Sequence, residues 1–331
     1  MLLAQDAAEE GQSPADHLPP HITRLTEFGE RADWSHDGKR VLFLEKTFGD
    51  VYEIEIGSKR VRLMTGRYYH EGYVRALYLS NGDILLSGAK TFDADAPMKS
   101  RSSEAELWVL DKSLDKPPVR LGEKCSEGPA VSREHLRIAW TVDHGDYPDR
   151  MPDGVSQLWI GDVVYDDGVP KLVNKRMLID NSVIPFECDL ETQNFVPPGE
   201  DRLTFSAYRW PKGTDAMLLD IPSGKVTALT NTPEEYDEPE GIFPDGKSTL
   251  VECDKQNLKG DKYIDIWKLD IGDPSQYERL TFFSDYPGYK ASNPVVSDDG
   301  KYMAFQMGMS RDMAGVGHGI FLYDFEKARR K

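Results

Sequence analysis

Acids, amides, arginines and a few histidines recur at matching places along this chain, and side chains of these types move protons and hold cations. Three of the seven histidines stand where chemistry is conceivable. His70 lies in Tyr68-Tyr69-His70-Glu71, His144 in Asp143-His144-Gly145-Asp146, and His318 in Gly315-Val316-Gly317-His318-Gly319. Imidazole and carboxylate are the usual general acids and bases. Taken with Glu191, Gln193, Glu238 and Glu240, the histidines could also hold one divalent ion, calcium or manganese, through mixed nitrogen and oxygen donors. Other familiar site patterns are missing from the sequence. There is no Gly-x-Ser-x-Gly elbow for a serine nucleophile. No glycine-rich phosphate loop signals a nucleotide cofactor, and neither His-Glu-x-x-His nor Cys-x-x-Cys occurs.

The elements that must position these groups are written as a repeat. Arg31-Ala32-Asp33-Trp34-Ser35-His36-Asp37-Gly38, Gly241-Ile242-Phe243-Pro244-Asp245-Gly246 and Asn293-Pro294-Val295-Val296-Ser297-Asp298-Asp299-Gly300 each lead into an apolar run. Asp-Gly between two extended runs marks a hairpin. Degenerate copies around Ser80, Ser132 and Pro197 fill the gaps, so anchors fall 45 to 65 residues apart. Such a period suits one four-stranded propeller blade per copy. Third strands follow each hairpin, as in Glu106-Leu107-Trp108-Val109-Leu110. Short closers such as Arg62-Leu63-Met64-Thr65, Ala228-Leu229-Thr230 and Arg279-Leu280-Thr281 come next. The last unit lacks a closer, and Ile22-Thr23-Arg24-Leu25-Thr26 supplies one at the other end of the chain. The pattern predicts an all-β, six-bladed β-propeller of four-stranded antiparallel blades, with the N-terminal strand completing the last blade and protecting its edge.

Propeller geometry sorts the polar residues by face. Residues entering the first strand of a blade and leaving the second share one face, and the Asp-Gly turns lie on the other. Entering positions carry Arg31, Arg75, Glu127, Glu191, Gln193, Glu238, Glu240 and Asn293; leaving positions carry Lys46, His144, Tyr208, Arg209 and Lys255. This mixed face, at the mouth of the channel, is where a ligand site is expected.

The spacing, the Ser/Pro-Asp-Gly turns and the Arg-Leu-Thr closers resemble the TolB-type β-propeller family, from about Ile22 to about Arg329. That resemblance implies an exported, periplasmic location, although a cytoplasmic one is also allowed. In kind, the histidines and acids are similar to those of the oligogalacturonate lyases, which are also TolB-like propellers. This likeness implies a metal held by His and Gln that neutralises a uronate carboxylate while a base takes the α-proton. Carried onto this chain, Glu191, Gln193, Glu238, Glu240 and His318 would hold the metal, and His70 or His144 would be the base. Lys46 or Tyr208 would assist the leaving oxygen, and Arg31, Arg75, Glu127, Arg209, Lys255 and Asn293 would bind substrate.

Composition narrows the partners. The net charge of −17 argues against nucleic acid, which demands basic patches, and against an anionic membrane surface. No apolar run approaches the ~20 residues of a membrane span. Cys125, Cys188 and Cys253 read as small buried hydrophobes, not as a disulfide framework. Residues 1–20 are polar, show no intact signal sequence, and are expected to form a flexible arm ahead of a single propeller domain over 21–331. Two functions fit. One is a propeller acting on a small molecule or oligosaccharide, up to a metal-assisted lyase on acidic sugars. The other is a non-catalytic, TolB-like scaffold of the cell envelope that binds protein partners.

Overall fold

The structure is a computed structural model and describes residues 11–125 and 128–330. Six four-stranded antiparallel sheets stand as blades in a ring. The inner strands, in order, are Glu30–Trp34, Arg75–Tyr78, Ala130–Val131, Cys188–Val196, Asp237–Ile242 and Tyr289–Val296. Each pairs with a second strand across the hairpin the sequence announces. In blades one and six the turn serine explains the motif. Ser35 Oγ donates to Asp37 and accepts the Arg40 amide; Ser297 Oγ does the same with Asp299 and Tyr302. Asp and Ser thereby hold the turn by local hydrogen bonds.

Ring closure follows the expected route. Ile22, Thr23 and Arg24 pair with Tyr323, Leu322 and Phe321 in the last strand of blade six, Ile320–Asp324. The Leu-Thr closers explain why a threonine recurs. Each closing strand stops just before this pair (Met64-Thr65 in blade one), and the threonine hydroxyl then accepts an amide near the start of the third strand. Val51 to Thr65, Ala216 to Thr230, Ile266 to Thr281 and Ile320 to Thr26 span 2.9–3.0 Å. In blades one, four and five that hydroxyl donates to an aspartate, Asp50, Asp215 or Asp265. The N-terminal segment therefore supplies both the missing strand and the missing latch. Blades two and three carry no Leu-Thr closer, and an asparagine, Asn181, bonds the corresponding Ser156 amide in blade three.

Apolar faces pack blade against blade. Phe283, Phe305 and Phe321 form one such contact, with ring centroids 5.4–5.5 Å apart. Burying each ring contributes about 1.5–3 kcal/mol. All three cysteines are unpaired and buried. Part of the expected arm is packed. Ser13 caps a short turn, Pro14–Asp16, whose Pro14 is buried, and Ala15 and Leu18 lie against the core of blades five and six. These apolar side chains give the segment surface to bury; residues 1–10 lie outside the described residues.

The turn-side end of the channel is bridged. Arg133, from the hairpin of blade three, contacts Asp298 of blade six at 2.6 Å, and the Trp34 carbonyl and Asp33 of blade one. Blades three and six stand opposite each other in the ring, so this guanidinium crosses the axis.

Candidate functional site

Bulges aim side chains at the open end of the channel. In four inner strands two residues oppose one on the partner strand: at Arg31 in blade one, Gln193 in blade four, Glu240 in blade five and Asn293 in blade six. Arg31 and Asn293 take positive φ there, 49° and 48°. A bulge of this kind redirects a side chain while the ladder on either side continues. Arg31, Glu240 and Asn293 line a cavity of about 160 Å³ at the loop face. One side of it is basic, with Arg31 from blade one, Arg75 and Arg101 from blade two, and Lys290 from blade six. The other side is acidic, with Glu191 and Tyr208 from blade four and Tyr236, Glu238, Glu240 and Glu252 at blade five. The segment from Met309 to Val316 in blade six covers the mouth, held by Arg101 donating to the Ala314 carbonyl at 3.1 Å.

The acidic wall is a connected network. Glu238 accepts from Gln193 at 3.1 Å and from the hydroxyls of Tyr208 and Tyr236. The Tyr208 hydroxyl also lies 2.7 Å from Glu191. A phenol has one hydrogen and cannot donate fully to both carboxylates, an arrangement that favours a proton on one of them. Glu240 is tied to Arg75 at 3.3 Å and to the Asn293 amide at 2.9 Å. Glu252 accepts the Asn293 backbone amide at 2.5 Å. Burial, then the neighbouring Glu240 and Glu191, push Glu238 well above the usual carboxylate range. Burial and Glu240 push Glu252 up to about 8, against Lys290 and the Asn293 amide. Burial and the flanking carboxylates also raise Tyr208 and Tyr236. The arrangement stores protons at neutral pH and can give or take one.

Arg75 Nε and Ser292 Oγ, both of residues that line the cavity, are buried without a hydrogen-bond partner among the described residues.

Of the residues picked from sequence, Arg31, Arg75, Glu191, Tyr208, Glu238, Glu240 and Asn293 line the cavity, and Gln193 bonds to it through Glu238. Glu127 lies outside the described residues. The histidines go elsewhere. His70 bonds Asp50 at 2.9 Å beside the blade-one latch, His144 bonds the Met151 carbonyl at 2.7 Å, and His318 pairs with Asp312 at 2.6 Å. None of the three lines the cavity. Arg209 turns outward to Asp215 and lies over Phe186, because it neighbours the inward Tyr208 on one strand. Lys255 is exposed over Tyr277, and Lys46 is exposed in the turn after Leu44. Tyr236, Ser292 and Arg101 carry no sequence signal of this kind. Glu252 had a signal, since it opens the polar run Glu252 to Asn257. Arg101 sits on a helical insertion, Pro97–Ser102, whose only sequence mark is the long gap between two strands of blade two.

These residues do not fit the histidine-containing metal centre that the lyase likeness implies. No histidine lines the cavity among the described residues, and the carboxylates are already held by phenols, amides and Arg75. A separate trio, Glu235, Asp237 and Cys253, brings three donor atoms within 4.8 Å of one another. Asp237 there accepts from Tyr277 and Thr232. Burial, then Asp237, raises the Cys253 thiol far above its ordinary value, which opposes the thiolate a metal needs.

No family model and no curated protein matches the chain. Solved structures do. A putative TolB from Agrobacterium tumefaciens is 15% identical, with a TM-score of 0.53 over 82% of this chain and 96% of that one. The fold is that of the TolB-type propellers. An oligogalacturonate lyase in complex with manganese is 13% identical, with a TM-score of 0.53 over 93% of this chain and 81% of its own. A puromycin-hydrolyzing peptidase of Mycobacterium tuberculosis is 14% identical, with a TM-score of 0.51 over 85% of this chain and 40% of that one. No helix among the described residues is long and apolar enough to cross a membrane.

Proposed function

We propose that the loop-face cavity binds a small acidic carbohydrate and carries out proton transfer on it. One observation carries this reading. Arg75 and Ser292, whose Nε and Oγ are unpartnered, line the cavity together with the proton-sharing set Glu191, Tyr208 and Glu238. A uronate carboxylate satisfies the first pair, and its attraction to Arg75 makes the adjacent C–H more acidic. The ionised member of the carboxyl pair then takes that proton. The C–H electrons form a C=C bond, the C–O bond to the leaving group breaks, and the protonated partner, through Tyr208, returns a proton to the leaving oxygen. This is elimination, written without a metal. The manganese-bound lyase among the structural neighbours supports the substrate class to be tried first.

Calorimetric titration with glucuronate and galacturonate, and the ultraviolet absorbance of unsaturated product from their oligomers, test the reading. Wild type should bind and react. Arg75→Met should lose binding; Glu238→Gln should bind and lose turnover. No binding and no product in wild type would overturn it.

A second reading, a scaffold docking a protein on the same face, is favoured by Met313, which lines the cavity and is 69% exposed. A captured partner whose binding survives Arg75→Met and fails with Met313→Glu would select it.

A further inference from the structure

A side groove of about 270 Å³ opens between blades four and five, and it shares Tyr208, Tyr236 and Asp261 with the cavity. These three side chains border both spaces, which sets the two side by side.

Trp210 forms part of this groove and is 64% exposed. Its indole Nε1 donates to Asp189 at 3.2 Å. The polar edge is engaged and the ring is fixed, which leaves an apolar face toward solvent. A fixed indole face suits the C–H face of a sugar ring. Charge selects which sugar. The basic side chains lining the groove are both paired, Lys212 with Glu234 at 3.2 Å and Arg209 with Asp215 at 2.5 Å. Asp261 has no ion pair among the described residues, and three acids, Glu234, Glu235 and Asp261, line the groove against two bases, so its formal charge is negative. A second carboxylate there would meet like charge, whereas neutral hydroxyls would donate to these acids.

We infer that the ligand is a mixed oligosaccharide, with a uronate in the cavity joined to a neutral sugar unit over Trp210. This rests on the cavity reading above and adds the second subsite and its charge preference.

Titration calorimetry with glucuronate, glucuronosyl-glucose in both linkage orders, and glucuronosyl-glucuronate tests it on wild type and Trp210→Ala. Trp210 is outside the core, and an unchanged melting point will show that the variant is folded. One mixed disaccharide should bind wild type about tenfold more tightly than glucuronate does, a gain of the size aromatic contacts give. Trp210→Ala should remove that gain and leave glucuronate binding unchanged. Equal binding of glucuronate and both mixed disaccharides would overturn the inference alone. So would a gain that survives Trp210→Ala, or a diuronate that binds as tightly as the mixed ligand. Failure of every sugar to bind wild type would instead remove the cavity reading, and this inference with it.

Discussion

The hydroxyl of Tyr208 stands 2.7 Å from Oε2 of Glu191 while also contacting Glu238. One hydrogen cannot fully serve two carboxylates, and burial with the neighbouring acids favours a protonated Glu238. Infrared difference spectra at neutral pH, wild type minus Glu238→Gln, should show a carboxylic-acid C=O band that the variant lacks. A difference made only of carboxylate bands would contradict the shared proton.

Glu252 gives the stability a pH dependence of definite sign. Its carboxyl is pushed up to about 8 in the folded chain. An unfolded Glu titrates near ~4.3, so between these values the folded state binds more protons than the unfolded state. Stability from this group is therefore full at acid pH and lost as pH rises toward about 8. The melting temperature should fall across that window, and Glu252→Gln should make the fall shallower. Identical slopes for both proteins would count against a raised Glu252.

The threonine latch should be worth measuring in one blade. Thr281 accepts the Ile266 amide at 2.9 Å and donates to Asp265 at 2.7 Å, with no exposure to solvent. Thr281→Val keeps the shape and leaves both partners short of a hydrogen bond. The cost should be about 1–3 kcal/mol, read as a lower denaturation midpoint at unchanged slope. A change under about 0.5 kcal/mol, the ordinary range for a surface substitution, would mean that the latch is incidental.

Much of the fold was legible because the repeat carries its own turn chemistry and its own closers. Ile22 to Thr26 could be assigned to blade six from sequence, since its Leu-Thr pair matches the other closers and blade six lacks one. The cavity was legible only in outline. Tyr208 and Arg209 were both picked as site residues, yet neighbours on a strand point to opposite faces, and here Arg209 goes outward to Asp215. The histidines misled because a loop position says nothing of direction. His70 and His318 find aspartates close at hand, Asp50 and Asp312, and stay with them. The bulges at Arg31 and Asn293 carry no sequence mark, because neither is a glycine and both adopt positive φ. Without them the convergence of four blades on one space cannot be seen.

The place where a ligand sits decides the function of this propeller. The most direct measurement is a crystal structure of the protein soaked with glucuronate. Density should lie among Arg75, Ser292, Tyr208 and Glu238, with the carboxylate toward Arg75. Density elsewhere on the propeller, or a cavity still filled only by water at saturating sugar, would contradict the assignment of this cavity as the functional site.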